Sequence, residues 1–292
     1  MTPLSILLVL FSALIHSSWN FFTKRGNWPL EFFVWVFLWG VLLYLPFFIG
    51  LGHFPTLLLQ LSLKAWVITL SSGFIQTVYF ICLIKAYRLA DLSFVYPISR
   101  SAPLFTQIWA IWFIGEVLSI KGVFGIGLVM IGIFLIFLRK FQLKSFLSYL
   151  RISPQPYLLA FIAAIAGSIY SVFDKVGVQI LHPVFFIWLI NLWMCMNTAL
   201  YLLFRKETSF RKVWHESKRE IFMIAILQNV AYLLVLIALQ MSKVSYVVAF
   251  RQVGALFAAV MGILFLKESH WETRLAGALI LTLGLVLIGL AK

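Results

Sequence analysis

Residues 116–132 read EVLSIKGVFGIGLVMIG, and residues 268–284 read ESHWETRLAGALILTLG. A shift of 152 superposes Glu116, Gly125 and Gly132 on Glu268, Gly277 and Gly284, so Glu-x8-Gly-x6-Gly occurs twice. The same shift pairs Gln76 with Gln228. A shift of 151 pairs Phe22, Lys24 and Gly26 with Phe173, Lys175 and Gly177, and Arg100 with Arg251. The chain therefore reads as a duplication. Glycines seven residues apart return to one helix face, where small residues let backbones approach, and these four read as scaffold.

What surrounds the repeat is lipid-facing. The chain has 292 residues, 63% hydrophobic and 11% charged, against about 45–50% apolar and about 25% charged in a soluble domain. A hydrocarbon core about 30 Å thick takes roughly 20 mostly apolar residues as helix, which satisfies its backbone groups internally. Ten such spans follow, at 3–22, 29–51, 65–87, 92–115, 120–138, 157–179, 183–204, 219–240, 243–267 and 271–291. The expected fold class is an all-α integral membrane protein, ten transmembrane helices arranged as two inverted five-helix repeats. The first unit is expected at 1–140, a basic connector at 141–156 and the second unit at 157–292. The charged stretch 205–219 is expected along the surface. The N-terminus has no basic n-region, and its apolar run is long enough to span, so it reads as the first helix rather than a cleaved leader.

A net charge of +14 would raise the question of nucleic acid in a soluble protein. Here the bases lie in loops. Counting loops alternately puts fifteen Lys and Arg on one side and four on the other, which predicts a plasma-membrane protein with both termini non-cytoplasmic. No nucleic-acid partner is expected. Cys82 and Cys195 fall inside apolar runs and suggest neither a disulfide framework nor a metal.

Five is odd, so the second unit enters the membrane upside down. Arg100 leaves eight residues of its span before it, and Arg251 leaves a similar run. At 1.5 Å per residue each lies about 12 Å along its helix, one from each face. Inverted repeats are a recurring transporter design, with binding near the midplane and alternating access.

Polar residues inside spans are the candidates for the site. Ser12, His16, Asn20 and Lys24 recur every four residues and share one face of the first helix. His16 and Asn20 are candidates there, with Trp19 beside them as a surface for stacking; the competing reading is a seam hydrogen-bonded to neighbouring helices. Tyr96, Arg100, Pro103 and Gln107 share a face of the fourth. A guanidinium at a helix centre costs roughly 2.5–3.5 kcal/mol, and a substrate carboxylate in its planar fork would repay that, as would an internal ion pair or snorkelling to the interface. Arg251 poses the same choice in the ninth. Tyr170 and Asp174 share a face of the sixth, where Asp174 could bind a substrate amine, carry a coupling proton, or pair with Lys175, Lys24 or an arginine. Gln76 and Tyr79, with Ser72, line the third, and Gln228, with Tyr232, lines the eighth; they would orient a ligand by neutral hydrogen bonds, and interhelical hydrogen bonding explains them as well. Glu116 and Glu268 occupy equivalent ends of inverted units, hence opposite membrane faces, and read as structural.

Three stretches now carry a resemblance: His16-Ser-Ser-Trp-Asn20, Tyr96-Pro-Ile-Ser-Arg-Ser-Ala-Pro-Leu104 followed by Glu116, and Val247-Val-Ala-Phe-Arg251 followed by Glu268. In order and spacing the chain resembles the EamA type of the drug/metabolite transporter superfamily over essentially its whole length. The resemblance implies ten helices in two inverted units around a central cavity for small polar or amphipathic metabolites, often exported.

No phosphate-binding glycine loop, His-Glu-x-x-His or Cys-x-x-Cys is present, so neither an enzyme nor a cofactor is expected. The expected function is secondary active export of a small metabolite, amino-acid-like or amphipathic compound, by alternating access. Its partners are the small-molecule substrate, a coupling proton or counter-solute, and the lipid bilayer. The rival readings are a flippase for lipid-linked or amphipathic lipids and a non-transporting sensor or interaction subunit.

Overall fold

The computed structural model describes residues 1–26, 28–50, 58–90, 92–137, 153–205, 209–257 and 271–291, with the side chains of 19–26, 91–94, 137 and 271–274 excepted. Every element there is helical. The first unit holds α1 (Pro3–Gly26), α2 (Leu30–Gly50), α3 (Leu63–Leu89), α4 (Leu92–Ser99), α5 (Ala102–Ile114) and α6 (Ile120–Phe137). The second holds α7 (Gln155–Ile180), α8 (Pro183–Arg205), α9 (Phe210–Met241), α10 (Val244–Phe250), a helical stretch at 253–257, and α11 (Trp271–Leu290).

The boundaries have local causes. Ser62 caps α3, its side chain accepting from the Ala65 N–H at 3.2 Å, which satisfies one of the donors a helix start leaves open. Proline opens α1, α7 and α8 within their first two residues, where its missing N–H is not needed. Gly115 ends α5 in the left-handed region, φ 67°, which a side chain would strain.

Two expectations change in detail. The fourth span is broken: α4 stops at Ser99 and α5 begins at Ala102, with Arg100 and Ser101 in the turn between. Pro103 has no N–H to give the carbonyl of Ser99, and tighter bonds stitch the turn, Ser101 N–H to Ile98 O at 3.1 Å and Leu104 N–H to Ser101 O at 3.0 Å. The ninth span breaks at the matching place, Arg251-Gln252, with Gln252 N–H to Ala249 O at 3.1 Å and Ala255 N–H to Gln252 O at 2.8 Å. In addition, part of the stretch expected along the surface is helix. Residues 210–216 lead into α9 through a kink at Ser217 (φ −136°, ψ 21°). That lead-in buries Val213, stacks Trp214 on Trp39 with ring centres 6.1 Å apart, and turns Arg211, Lys212, His215 and Glu216 outward.

The packing is reciprocal between units. α1 lies along α9, and its counterpart α7 lies along α3; α2 meets α9, and α8 meets α3; α2 packs on α8, and α6 on α11. These principal cross-unit contacts thus have their mates under exchange of the halves, as a two-fold relation requires. The glycines make the α6–α11 seam. A Cβ on Gly125 would stand 2.8 Å from the carbonyl oxygen of Gly284, and one on Gly132 would stand 2.7 Å from that of Gly277. Because 125 faces 284 while 132 faces 277, the two helices run antiparallel. The last helices of the halves therefore point in opposite directions, as inverted insertion demands.

Between α2, α8 and α9 a polar pair is buried: Asn191 Nδ2 donates to Asn229 Oδ1 at 2.7 Å. Gly40 makes room for it, since a Cβ there would stand 2.8 Å from Asn229 Nδ2. Residues 1 and 291 share one face, where the Met1 amine donates to Ala291 O at 3.2 Å.

Candidate functional site

The helix breaks bring the two arginines into one place. Arg100 sits over the ring of Tyr96, 4.9 Å from guanidinium carbon to ring centre, and lies within electrostatic reach of Tyr79 and Tyr87 on α3 and Tyr170 on α7. Arg251 lies within reach of Tyr170 and Asp174 on α7 and Tyr232 on α9. Both act on His16 of α1. Arg100 and Arg251 therefore point inward from opposite halves, toward α1, α3, α7 and α9, and both remain partly exposed. A charge that faces the interior of a membrane bundle needs polar company there, and here the two arginines, His16 and four tyrosines supply it.

The tyrosines gather on one side of Arg100. Tyr79 meets Tyr170 edge to face, ring centres 5.4 Å apart, and Tyr87 stacks parallel to Tyr96 at 6.3 Å. Tyr87 Oη and Ser99 Oγ lie 3.4 Å apart, which fixes the tyrosine pair to the end of α4.

Asp174 forms the other polar centre, and it is sealed. Its Oδ1 accepts from Ser72 Oγ at 2.6 Å and from Gln76 Nε2 at 3.2 Å, while its Oδ2 accepts from Tyr232 Oη. Gln76 Nε2 also donates to Tyr232 Oη at 2.8 Å. Asp174 is 1% exposed and Gln76 6%, so neutral donors of α3 and α9 hold the carboxyl out of solvent. A buried polar group needs such partners.

The remaining candidates are placed as follows. Gln228 lies on α9 one turn before Tyr232, and its side-chain oxygen is buried with no hydrogen-bond partner among the described residues. Gln107 is partly exposed on α5, two turns beyond the Arg100 break, and makes no hydrogen bond among the described residues. Trp19 and Asn20 belong to α1, but their side chains lie outside the described residues. Thus His16, Gln76, Tyr79, Tyr96, Arg100, Tyr170, Asp174 and Arg251 come together, with Gln228 adjoining. The sequence reading missed Tyr87. Its signal was the stripe Ser72-Gln76-Tyr79, which continues to Tyr87 two turns further along α3. It also missed the break that aims each arginine.

A second polar cluster closes the face that carries the termini. Glu116 accepts from Val244 N–H at 2.6 Å, Ser245 N–H at 3.3 Å and Ser245 Oγ at 2.8 Å, capping α10 from the other unit. Lys175 Nζ donates to Leu239 O at 2.5 Å and Ser242 O at 2.9 Å, and Lys243 Nζ donates to Val117 O at 2.6 Å. Between these groups runs a cleft of about 570 Å³. The Met1 ammonium at its edge is pushed below its ordinary range, first by burial and then by Lys243. Glu268 lies outside the described residues.

The comparisons agree with this architecture. A solved structure described as "Crystal structure of protein" superposes over 98% of this chain and 97% of its own with a TM-score of 0.75, at 14% identity, a likeness of fold. No curated protein matches the sequence. The model of the EamA-like transporter family matches residues 3–138 and again 155–290. Two matched copies, opposite in direction and reciprocal in packing, account for both the repeat and the fold. This chain belongs to the EamA-like transporter family, and it is a multi-pass membrane transporter of the drug/metabolite type.

Proposed function

We propose that the protein is a secondary active exporter that moves a small metabolite by alternating access through the space between its halves. The observation that carries this reading is the pair of helix breaks. Each half interrupts its fourth span at an arginine, and both arginines face the same interior from opposite sides. Broken helices at the interface of inverted repeats are where transporters place their solute sites, because interrupted backbone lets a site open by small hinge motions. The closure of one face by Glu116, Lys175 and Lys243 supports a gate there. Export is driven by a proton gradient or by exchange with a counter-solute.

The protein is assigned to the cytoplasmic membrane with both termini outside, on the excess of Lys and Arg in the opposite loops. A C-terminal alkaline phosphatase fusion should be active and a C-terminal fluorescent fusion dark. The reverse pattern would invert the orientation. For transport itself, purified protein in liposomes loaded with a labelled metabolite panel should release some members faster than empty liposomes under an imposed proton gradient or external counter-solute. Release of none, under either condition, counts against a carrier.

A further inference from the structure

The interior space is unbalanced in charge. Two guanidinium groups, Arg100 and Arg251, meet no carboxylate at ion-pairing distance among the described residues. The carboxylate closest in influence, Asp174, is 1% exposed and already accepts from Ser72, Gln76 and Tyr232. Arginine cannot shed its proton to escape burial, so the site is cationic whenever it is empty.

Three observations define what would answer that charge. The planar fork of guanidinium donors matches a carboxylate. If each arginine lies about 12 Å in from its own face of a core about 30 Å thick, the two are about 6 Å apart along the membrane normal, close enough to share one small headgroup. The wall beside them is aromatic, Tyr79 and Tyr170 at one side of Arg100 and Tyr96 beneath it, which suits a flat ring. The sealing of Asp174 leaves no exposed carboxylate beside the arginines for an ammonium among the described residues, which disfavours amines and zwitterions. The cleft on the terminus face repeats the sign: Lys175 and Lys243 line it, and its one carboxylate among the described residues, Glu116, is committed to capping α10.

We propose that the transported solute is a small aromatic monoanion, its carboxylate held between Arg100 and Arg251, its ring against Tyr79, Tyr96 and Tyr170, and its exit through the Lys175–Lys243 cleft. This assignment rests on the carrier reading above and names its substrate class.

The test uses three molecules of nearly one shape: 4-hydroxyphenylacetate, its neutral amide and the cation tyramine. Binding is followed by isothermal calorimetry on full-length protein in phosphatidylcholine nanodiscs at pH 7. The anion should bind at least tenfold more tightly than the amide, and tyramine should not bind. Arg100→Gln and Arg251→Gln should each weaken the anion tenfold or more, with Arg100→Lys and Arg251→Lys intermediate because the charge survives and the fork does not. Monodispersity and an unchanged melting temperature establish that the variants are folded. Equal or tighter binding of the amide or tyramine, binding of none of the three, or full retention of the anion by folded Gln variants overturns the proposal. Phosphatidylglycerol added to the nanodiscs should not compete; competition that Arg100→Gln abolishes would make the occupant a lipid headgroup and overturn the assignment to a soluble solute. Counterflow of the same compounds in liposomes separates this inference from the reading beneath it. An anion bound but never moved defeats the carrier, whereas a neutral solute moved in preference defeats only the anion.

Discussion

Gly132 of the first unit and Gly277 of the second lie backbone to backbone. A Cβ on Gly132 would stand 2.7 Å from the carbonyl oxygen of Gly277, and one on Gly277 would stand 2.8 Å from that of Gly132. With Gly125 and Gly284 a helical turn or two away, this contact fixes the antiparallel seam between α6 and α11. In lipid, helices gain little from apolar burial against one another, so close van der Waals approach has to hold them.

Substitution at that seam should therefore be costly out of proportion to its size. Gly132→Val or Gly277→Val should destabilise the protein by about 1–3 kcal/mol through overpacking, read as a lower melting temperature in detergent. Gly127→Val serves as the control on the same helix, because a Cβ there meets nothing within 4 Å, and it should leave the melting temperature nearly unchanged. Equal effects at Gly127 and Gly132 would sink the seam.

The Asp174 network should behave as a unit. Tyr232→Phe and Ser72→Ala each remove one donor from a buried carboxyl, a loss of about 1–3 kcal/mol apiece. Combined, they should depart from additivity by at least about 0.5 kcal/mol, since both act on the same acceptor. Strictly additive losses, measured by chemical denaturation, would show that the two hydroxyls do not share Asp174.

Glu116 should matter for closing one face. Glu116→Ala strips the partners from Val244 N–H and Ser245 Oγ, and the loss of a helix start's acceptor typically costs about 0.5–2 kcal/mol. A cysteine at Gln179, in the cleft beside it, should react faster with a membrane-impermeant maleimide in the Glu116→Ala background than in the parent, with Cys82 and Cys195 replaced by serine. Unchanged labelling would separate the cap from any gate.

Much of this molecule could be read before its coordinates were known, and the reason is the solvent. A bilayer leaves few ways to satisfy a backbone, so run length alone located the helices, and the paired Glu-Gly-Gly pattern located the two-fold. What escaped was finer. The break at Arg100 has a proline signature in Pro103, but the break at Arg251 has none, and only comparison of the halves could have transferred it. The helical lead-in to α9 escaped because 210–216 is too charged to resemble a span and too short to show a period. Tyr87 escaped because a tyrosine near a helix end reads first as an interface anchor. Which way each polar group turned was also illegible: Asp174 and Arg251 are both charges inside apolar runs, yet one is enclosed by neutral donors and the other stays partly exposed.

The central claim is that Arg100 and Arg251 together serve one solute path between the halves. Its most direct test is counterflow in liposomes, at matched protein insertion, of whichever solute the parent moves. Arg100→Gln and Arg251→Gln should each slow transport at least tenfold, although the two residues come from opposite halves. Transport at the parent rate by both variants would contradict it.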